Sequence, residues 1–428
     1  MLAGPTISDL IAWQIFDSRG VPTVACRLRL SNGLEVVSAA PSGTSVGLYE
    51  AKELRDGHNS LFDGMGVRQA VHMLSTEIRR ALVGKTVDVA RLDACLLELD
   101  GTGDKSRLGA NALIAVSMAI ARAQALIEGI PLWHFLAVYT GSSPAMPRCM
   151  ANVLNGGRHA DNGVAVQEIM IVSPAGIPIA KQIHTIAAVQ EQLKKVLSNQ
   201  GKSVLVGAEG GFAPRCSGNE AQAVEQLFSF LEMAVDAASL CAGKDVWYAM
   251  DVAASEFYDS TSKKYMISLT GAQVGGGCDA RELIAWYCAL SERYPLLSIE
   301  DGLDQDDWDG WRKLCGELGS KMLVIGDDLL VTNQQRLRQA VSQDAANAIL
   351  IKPNQIGTVT QTLQTIALAK QYGLSFVISH RSGETNDSFI ADLAVGTGAP
   401  FIKLGALCRG ERIAKYNRLI EIAVLEGL

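Results

Sequence analysis

Residues 321–358 read KMLVIGDDLLVTNQQRLRQAVSQDAANAILIKPNQIGT, and their residue types could do chemistry. Residues 322–325 form a short apolar run that ends in Gly326, Asp327 and Asp328. Residues 348–351 form a second run that ends in Lys352, with polar, helix-compatible residues 334–341 between them. This order predicts strand, acidic turn, helix, strand, lysine. Charges that follow strand C-termini sit where open α/β sheets and α/β barrels keep their chemistry. A carboxylate pair facing a lysine is one half of a metal-assisted proton-abstraction site.

Other strand-like runs end in the same way. Gln167 and Glu168 follow residue 166, and Gly207-Ala208-Glu209 follows 204–206. Asp251, Glu300-Asp301, His380-Arg381-Ser382 and Lys403 follow further runs. One strand-end acid is commonplace as a helix N-cap or surface turn. Many converging ones are harder to explain that way. Asp251, Glu300 and Asp327 come from three separate runs with no Cys or His beside them, a set that suits Mg²⁺; three unrelated salt-bridge acids are the alternative. Lys352 and Lys403 in one mouth would lower each other's pKa, which would make a lysine a usable base near neutral pH. Two solvated rim lysines are the alternative.

Positioning these groups needs strands and helices in a definite order. Residues 6–40 predict a β-meander broken at Asp17-Ser18-Arg19-Gly20 and at Asn32-Gly33. Residues 41–47, PSGTSVG, form a small-residue loop suited to wrapping a ligand or to a plain surface turn. Residues 67–82, 89–99 and 110–127 carry apolar side chains at helical spacing. Strands first and helices after predict an α+β domain over residues 1–140. From there to residue 428, strand-like runs at 166–172, 246–250, 296–299, 322–325, 348–351, 376–378 and 401–402 alternate with helix-like ones. Such alternation predicts a parallel sheet, and at this length a closed barrel. A doubly wound open sheet is the alternative, but no Gly-x-Gly-x-x-Gly follows the first strand and no Walker-type loop exists.

Composition narrows the function classes. With 48% hydrophobic and 19% charged residues the chain can build a large core. A net charge of −7 argues against a nucleic-acid or anionic-membrane binder, but not against an anionic substrate met by local Lys and Arg. Nine Cys, an odd number with no C-x-x-C pair, predict reduced thiols and a cytoplasmic protein. Residues 113–127 are apolar but include Ser117, Arg122 and Gln124, so they predict a core helix and no membrane span.

With these residues assembled, the chain resembles the enolase family over nearly its full length. The resemblance rests on PSGTSVG at 41–47, DGTGDKSRLGANA at 100–112, NVLNGGRHADN at 152–162 and EGGFAP at 209–214. SIEDGLDQDDW at 298–308, GDDLLVTN at 326–333, IKPNQIGT at 351–358, SHRSGET at 379–385 and IKLGA at 402–406 carry it further. It implies an α/β fold, with an N-terminal α+β capping domain on a C-terminal TIM-like (β/α)8 barrel of enolase type. It also implies Mg²⁺-dependent dehydration of 2-phosphoglycerate to phosphoenolpyruvate by a homodimer or higher homo-oligomer. Lys352 would be the base and Glu209 the acid, with Gln167 and Glu168 beside it. Asp251, Glu300 and Asp327 would hold the first Mg²⁺, and Ser45 would help bind a second with substrate. Lys403 would pair with the substrate carboxylate, Arg381 and Ser382 would hold the phosphate, and His380 would contribute to substrate binding. His159 would close over the site from its own loop.

Four departures stand against that pattern. Glu209 follows Ala208 where the family normally has Asp, which predicts either protonation of Glu209 over a lower pH range or a replaced hydrogen-bond partner. Pro353 follows Lys352. Leu404, Leu407 and Gly410 alter the surroundings of Lys403. Trp13, Ala25 and Glu421 stand where family dimers carry ion pairs, so an apolar contact is expected instead. The first and third keep a paralogue with an altered reaction in view, such as a carboxyphosphonoenolpyruvate synthase. A purely binding role on an enolase body is the third possibility.

Overall fold

The computed structural model describes residues 4–43, 47–57, 61–270 and 277–427. Its N-terminal part is a three-stranded antiparallel sheet, β1 (Ile7–Phe16), β2 (Pro22–Leu30) and β3 (Glu35–Ala39). The first turn forms because Asp17 Oδ1 accepts from both Arg19 N and Val21 N. The second closes at Gly33, whose φ of 86° suits a residue without Cβ. The sheet packs on the helix Ala110–Glu128, which is apolar on almost every face and therefore buried. Length and composition would let that helix cross a membrane, yet 78% of its most apolar 18-residue window is buried inside the protein.

Eight further strands close a barrel: β4 (Arg148–Asn155), β5 (Glu168–Val172), β6 (Trp247–Asp251), β7 (Leu296–Glu300), β8 (Leu323–Gly326), β9 (Ala348–Ile351), β10 (Ser375–Ser379) and β11 (Phe401–Lys403). They follow one another around the barrel in chain order, and β11 closes on β4. The closed barrel replaces the open-sheet alternative. Its interior is filled by buried side chains such as Met150, Met170, Ile325, Leu350 and Val377. It is a packed core and not a pore.

Two expectations need correction. Residues 166–172 were expected to deliver Gln167 and Glu168 at a strand C-terminus. Instead Glu168 opens β5, which runs antiparallel to both β4 and β6. Its connection from β4 holds only the single turn Gly157–His159. A connection without a full helical crossover gives an antiparallel pair. Reversal brings the N-terminal end of β5 to the mouth formed by the C-termini of the parallel strands. Residues 204–206 form no barrel strand; Val206 makes only an isolated bridge to Phe212. The place is taken by β4, whose sequence RCMANVLN is poor in β-branched residues and so gave little strand signal.

Polar contacts fasten the two parts together. Asp93 accepts from Thr360 N at 2.9 Å, and Ser117 Oγ accepts from Val359 N at 2.8 Å. Both therefore satisfy free N–H groups at the start of the barrel helix Val359–Gln371. Arg122 forks onto Asp387 at 2.8 and 2.6 Å. Arg122→Met leaves Asp387 with a largely buried, unpaired charge. We expect it to lose about 3 kcal/mol of stability, measured by urea unfolding.

Candidate active site

The barrel mouth gathers one charged group from almost every strand. Glu168 opens β5, Asp251 and Glu300 end β6 and β7, Asp327 follows β8, Lys352 follows β9, His380 to Ser382 follow β10, and Lys403 ends β11. All line, or lie directly behind, one polar cavity of about 30 Å³. That is room for one or two waters.

Lys403 sits at the centre of the carboxylates. Its Nζ lies 2.9 Å from Asp251 Oδ2, 2.9 Å from Glu300 Oε1 and 3.2 Å from Glu168 Oε2. Burial alone would depress this lysine, but the three acids outweigh burial and hold it well above the ordinary lysine range. Lys352 Nζ pairs with Asp327 Oδ2. Burial, Arg381 and Lys403 push Lys352 down, yet Asp327 outweighs them and the net shift is upward. As expected, the neighbouring ammonium groups oppose one another, Lys403 acting to lower Lys352. The mutual repulsion exists, but each lysine has a carboxylate in direct contact.

A second group surrounds Glu209. Its carboxylate lies 3.2 Å from His380 Nε2 and 3.8 Å from His159 Nε2, and it accepts from Asn152 Nδ2 at 3.3 Å. Ala208 places no charge beside it. His159 Nδ1 is 3.3 Å from Glu168 Oε1, so the imidazole lies between two acids. Arg412 donates to His380 Nδ1 at 2.7 Å. A guanidinium can only donate, so Nδ1 is the acceptor and Nε2 carries the proton that faces Glu209. Burial, reinforced by Arg412, pushes His380 down to about 4. Burial would raise Glu209, but the two imidazoles and Arg412 outweigh it and hold it well below the usual carboxylate range. Burial and the Glu209 charge push Glu168 up to about 7.

Arg381 is held by a residue that sequence reasoning did not single out. Glu50, from the N-terminal part, takes both ends of the guanidinium at 2.8 and 3.1 Å. Asn354 Oδ1 accepts from Arg381 Nη1 at 3.1 Å. The Ser382 carbonyl accepts from Ser18 Oγ at 3.3 Å and from Arg412 Nη2 at 2.7 Å. Gln167 Nε2 donates to Asp251 Oδ2 at 3.3 Å. Ser45 lies outside the described residues.

The donor set fits a hard divalent cation. The ligand atoms are carboxylate oxygens, and they crowd one another at short range. Oxygens of Asp301, Asp327 and Asp328 lie within 4.8 Å of one another. Burial and neighbouring acids push Asp301 up to about 8, and they push Glu300 and Asp328 well above the carboxylate range. Asp251 and Glu300 meet on Lys403, whereas Asp327 belongs to the tighter group with Asp301 and Asp328. Asp301 was open to a helix-capping reading, but no described helix starts beside it; its two oxygens accept from Asp327 N at 2.9 Å and Asp328 N at 2.7 Å in the turn after β8. Its φ of 43° is unusual for a residue with a side chain and marks a constrained turn.

Family models agree with this architecture. The enolase N-terminal domain matches residues 7–136, and the enolase C-terminal TIM barrel domain matches residues 143–426. The chain belongs to the enolase family. An enolase-family site accounts for the convergence of acids at the mouth, which isolated caps do not. Glu50 and Arg412 were not singled out from the sequence: Glu50 stands just beyond the 41–47 loop, and the complete burial of Arg412 shows only in the structure.

His380 gives a pH prediction. Its folded-state pKa of about 4 lies below the ordinary value near 6.5. Between those values the unfolded chain binds the extra proton, so stability falls as pH drops through the window, by about 3 kcal/mol in all. Urea midpoints measured from pH 7 to pH 4 should decline for wild type and decline less for His380→Gln.

Proposed function

We propose that this chain is a Mg²⁺-dependent lyase that reversibly dehydrates 2-phosphoglycerate to phosphoenolpyruvate. The observation that carries the reading is a pair of buried proton-transfer groups in the wall of one polar cavity. One is Lys352 on Asp327, and the other is Glu209 between His159 and His380. Loss of water across adjacent carbons needs a base for one carbon and an acid for the next.

Lys352 takes the C2 proton as a free amine, which requires it first to leave Asp327. The electron pair of the C2–H bond becomes the new double bond, and the C3 hydroxyl departs as water with a proton from Glu209. Glu209 must be charged with that proton beforehand. Glu168, with a pKa near 7, and His159 are the neighbours able to pass it on. Burial lowers His159, but Glu209 and Glu168 outweigh it and the net shift is upward. Lys403 meets the substrate carboxylate, while Arg381 and Ser382 meet the phosphate and Gln167 and His380 line the walls. Asp251, Glu300 and Asp327 would hold Mg²⁺, whose positive charge would make a proton beside a carboxylate removable, and a second Mg²⁺ would be bound only with substrate.

A second reading is a paralogue that makes a related enol product. It draws on Leu404, fully buried next to Lys403, and on Ala208, which borders an open cavity of about 700 Å³ that shares His159 with the polar one. The assay is the ultraviolet absorbance rise with 2-phosphoglycerate and Mg²⁺. We expect activity in wild type, loss on chelation, and a fall in kcat of about 10²–10⁴ for Lys352→Ala and for Glu209→Gln. No rise with wild type favours the second reading.

The proposal extends to a homodimer in the cytoplasm, with no nucleic-acid or membrane partner. The compartment rests on the odd cysteine count without a C-x-x-C pair. The outer face of the N-terminal sheet exposes Ile11, Trp13 and Val37, an apolar surface that suits a second copy. Sedimentation at micromolar concentration should give a dimer for wild type and a monomer for Trp13→Asp. A wild-type monomer rejects the assembly.

A further inference from the structure

Val331 and Thr332 adopt φ values of 41° and 55° in succession. Both are β-branched, and such residues in the left-handed region are genuine outliers. Strain of this kind persists only where the surroundings over-determine it, often at functional sites. The turn is pinned from Asp327, whose carbonyl accepts from Leu330 N at 3.0 Å and Val331 N at 2.6 Å.

The strained turn delivers one buried hydroxyl to a defined place. Lys352 N donates to Thr332 Oγ at 2.9 Å, so the hydroxyl accepts there. Its own proton goes to Gln355 Oε1, also at 2.9 Å. That contact fixes the Gln355 amide with its nitrogen toward two acids. Nε2 donates to Asp327 Oδ1 at 2.9 Å and to Glu50 Oε1 at 3.4 Å. The reversed amide would set its oxygen against two carboxylates and its N–H₂ against a donor. Gln355 is 1% exposed and Thr332 fully buried, so water cannot replace either partner. Asp327 is thus held on Oδ1 by Gln355 and on Oδ2 by Lys352.

We propose that Gln355, with its amide fixed by Thr332, is the positioning residue that orients Asp327 toward a divalent cation and joins it to the Glu50–Arg381 pair from the N-terminal part. The inference rests on the reading of Asp327 as a cation ligand. Donors that orient a ligating carboxylate are worth about 10–100-fold in metal affinity.

The test is calorimetric titration of Mg²⁺ into the intact protein without substrate. Gln355→Met keeps the shape and removes both donors; it should weaken binding by about 10–100-fold. Thr332→Val keeps the branched outline and the backbone but loses the hydroxyl, and it should weaken binding less, in the same direction. Thr332→Ser keeps the hydroxyl and should bind like wild type. Wild-type affinity in both Gln355→Met and Thr332→Val overturns the proposal, and so does a Thr332→Ser variant as weak as Thr332→Val. The Val and Ser pair decides the matter by itself should the Met variant not fold. Wild type that binds no Mg²⁺ brings down the cation reading and this inference together. Wild type that binds, with unchanged variants, brings down this inference alone.

Discussion

Crowding of like charge at one end of the barrel is the constraint to which the other features answer. Glu50, Glu168, Glu209, Asp251, Glu300, Asp301 and Asp327 are all buried there. Buried carboxylates that share a site cannot all stay ionised without compensation. Lys403 answers three of them, Lys352 answers Asp327, and Arg381 answers Glu50. Asp301 spends its oxygens on two backbone N–H groups. What remains uncompensated appears as raised acid pKa values, which is the electrostatic condition a cation relieves.

The single antiparallel strand follows from the same need. A regular βα connection between β4 and β5 would put a helix after each strand and send the start of β5 to the far face. The short connection instead keeps Glu168 at the mouth and leaves the segment around Gly157–His159 free to carry His159. The turn at residues 207–211 then brings Glu209 against His380. The Glu209 side of the site is thus built from irregular chain, and the Lys352 side from regular strand ends.

The N-terminal part contributes to the site as well as covering it. Glu50 sets the plane of Arg381, Ser18 holds the Ser382 carbonyl, and Asp93 with Ser117 satisfies the first turn of a barrel helix. A barrel alone would leave a buried guanidinium without its counter-ion, a costly state for a group that cannot lose its charge. The geometry of the site and domain association are therefore coupled through the same side chains.

Local patterns were sufficient for the barrel class and for most charged groups at its mouth. A short apolar run followed by Asp327 or Lys352 specifies a strand and the residue at its end, because both depend on neighbours in the chain. The same reasoning missed β4, whose side chains carry little strand preference, and it misjudged the direction of β5, which depends on how the chain returns. Partners were out of reach. Arg381 and Glu50 lie 331 residues apart, and Lys403 and Asp251 lie 152 apart. Whether a lysine is held charged, or an amide turned toward an acid, depends on distances of a few ångströms between such residues. The order of residues determines which groups reach the mouth of the barrel; only the closed tertiary structure decides which of them touch, because Coulomb and hydrogen-bond energies are set by separation in space.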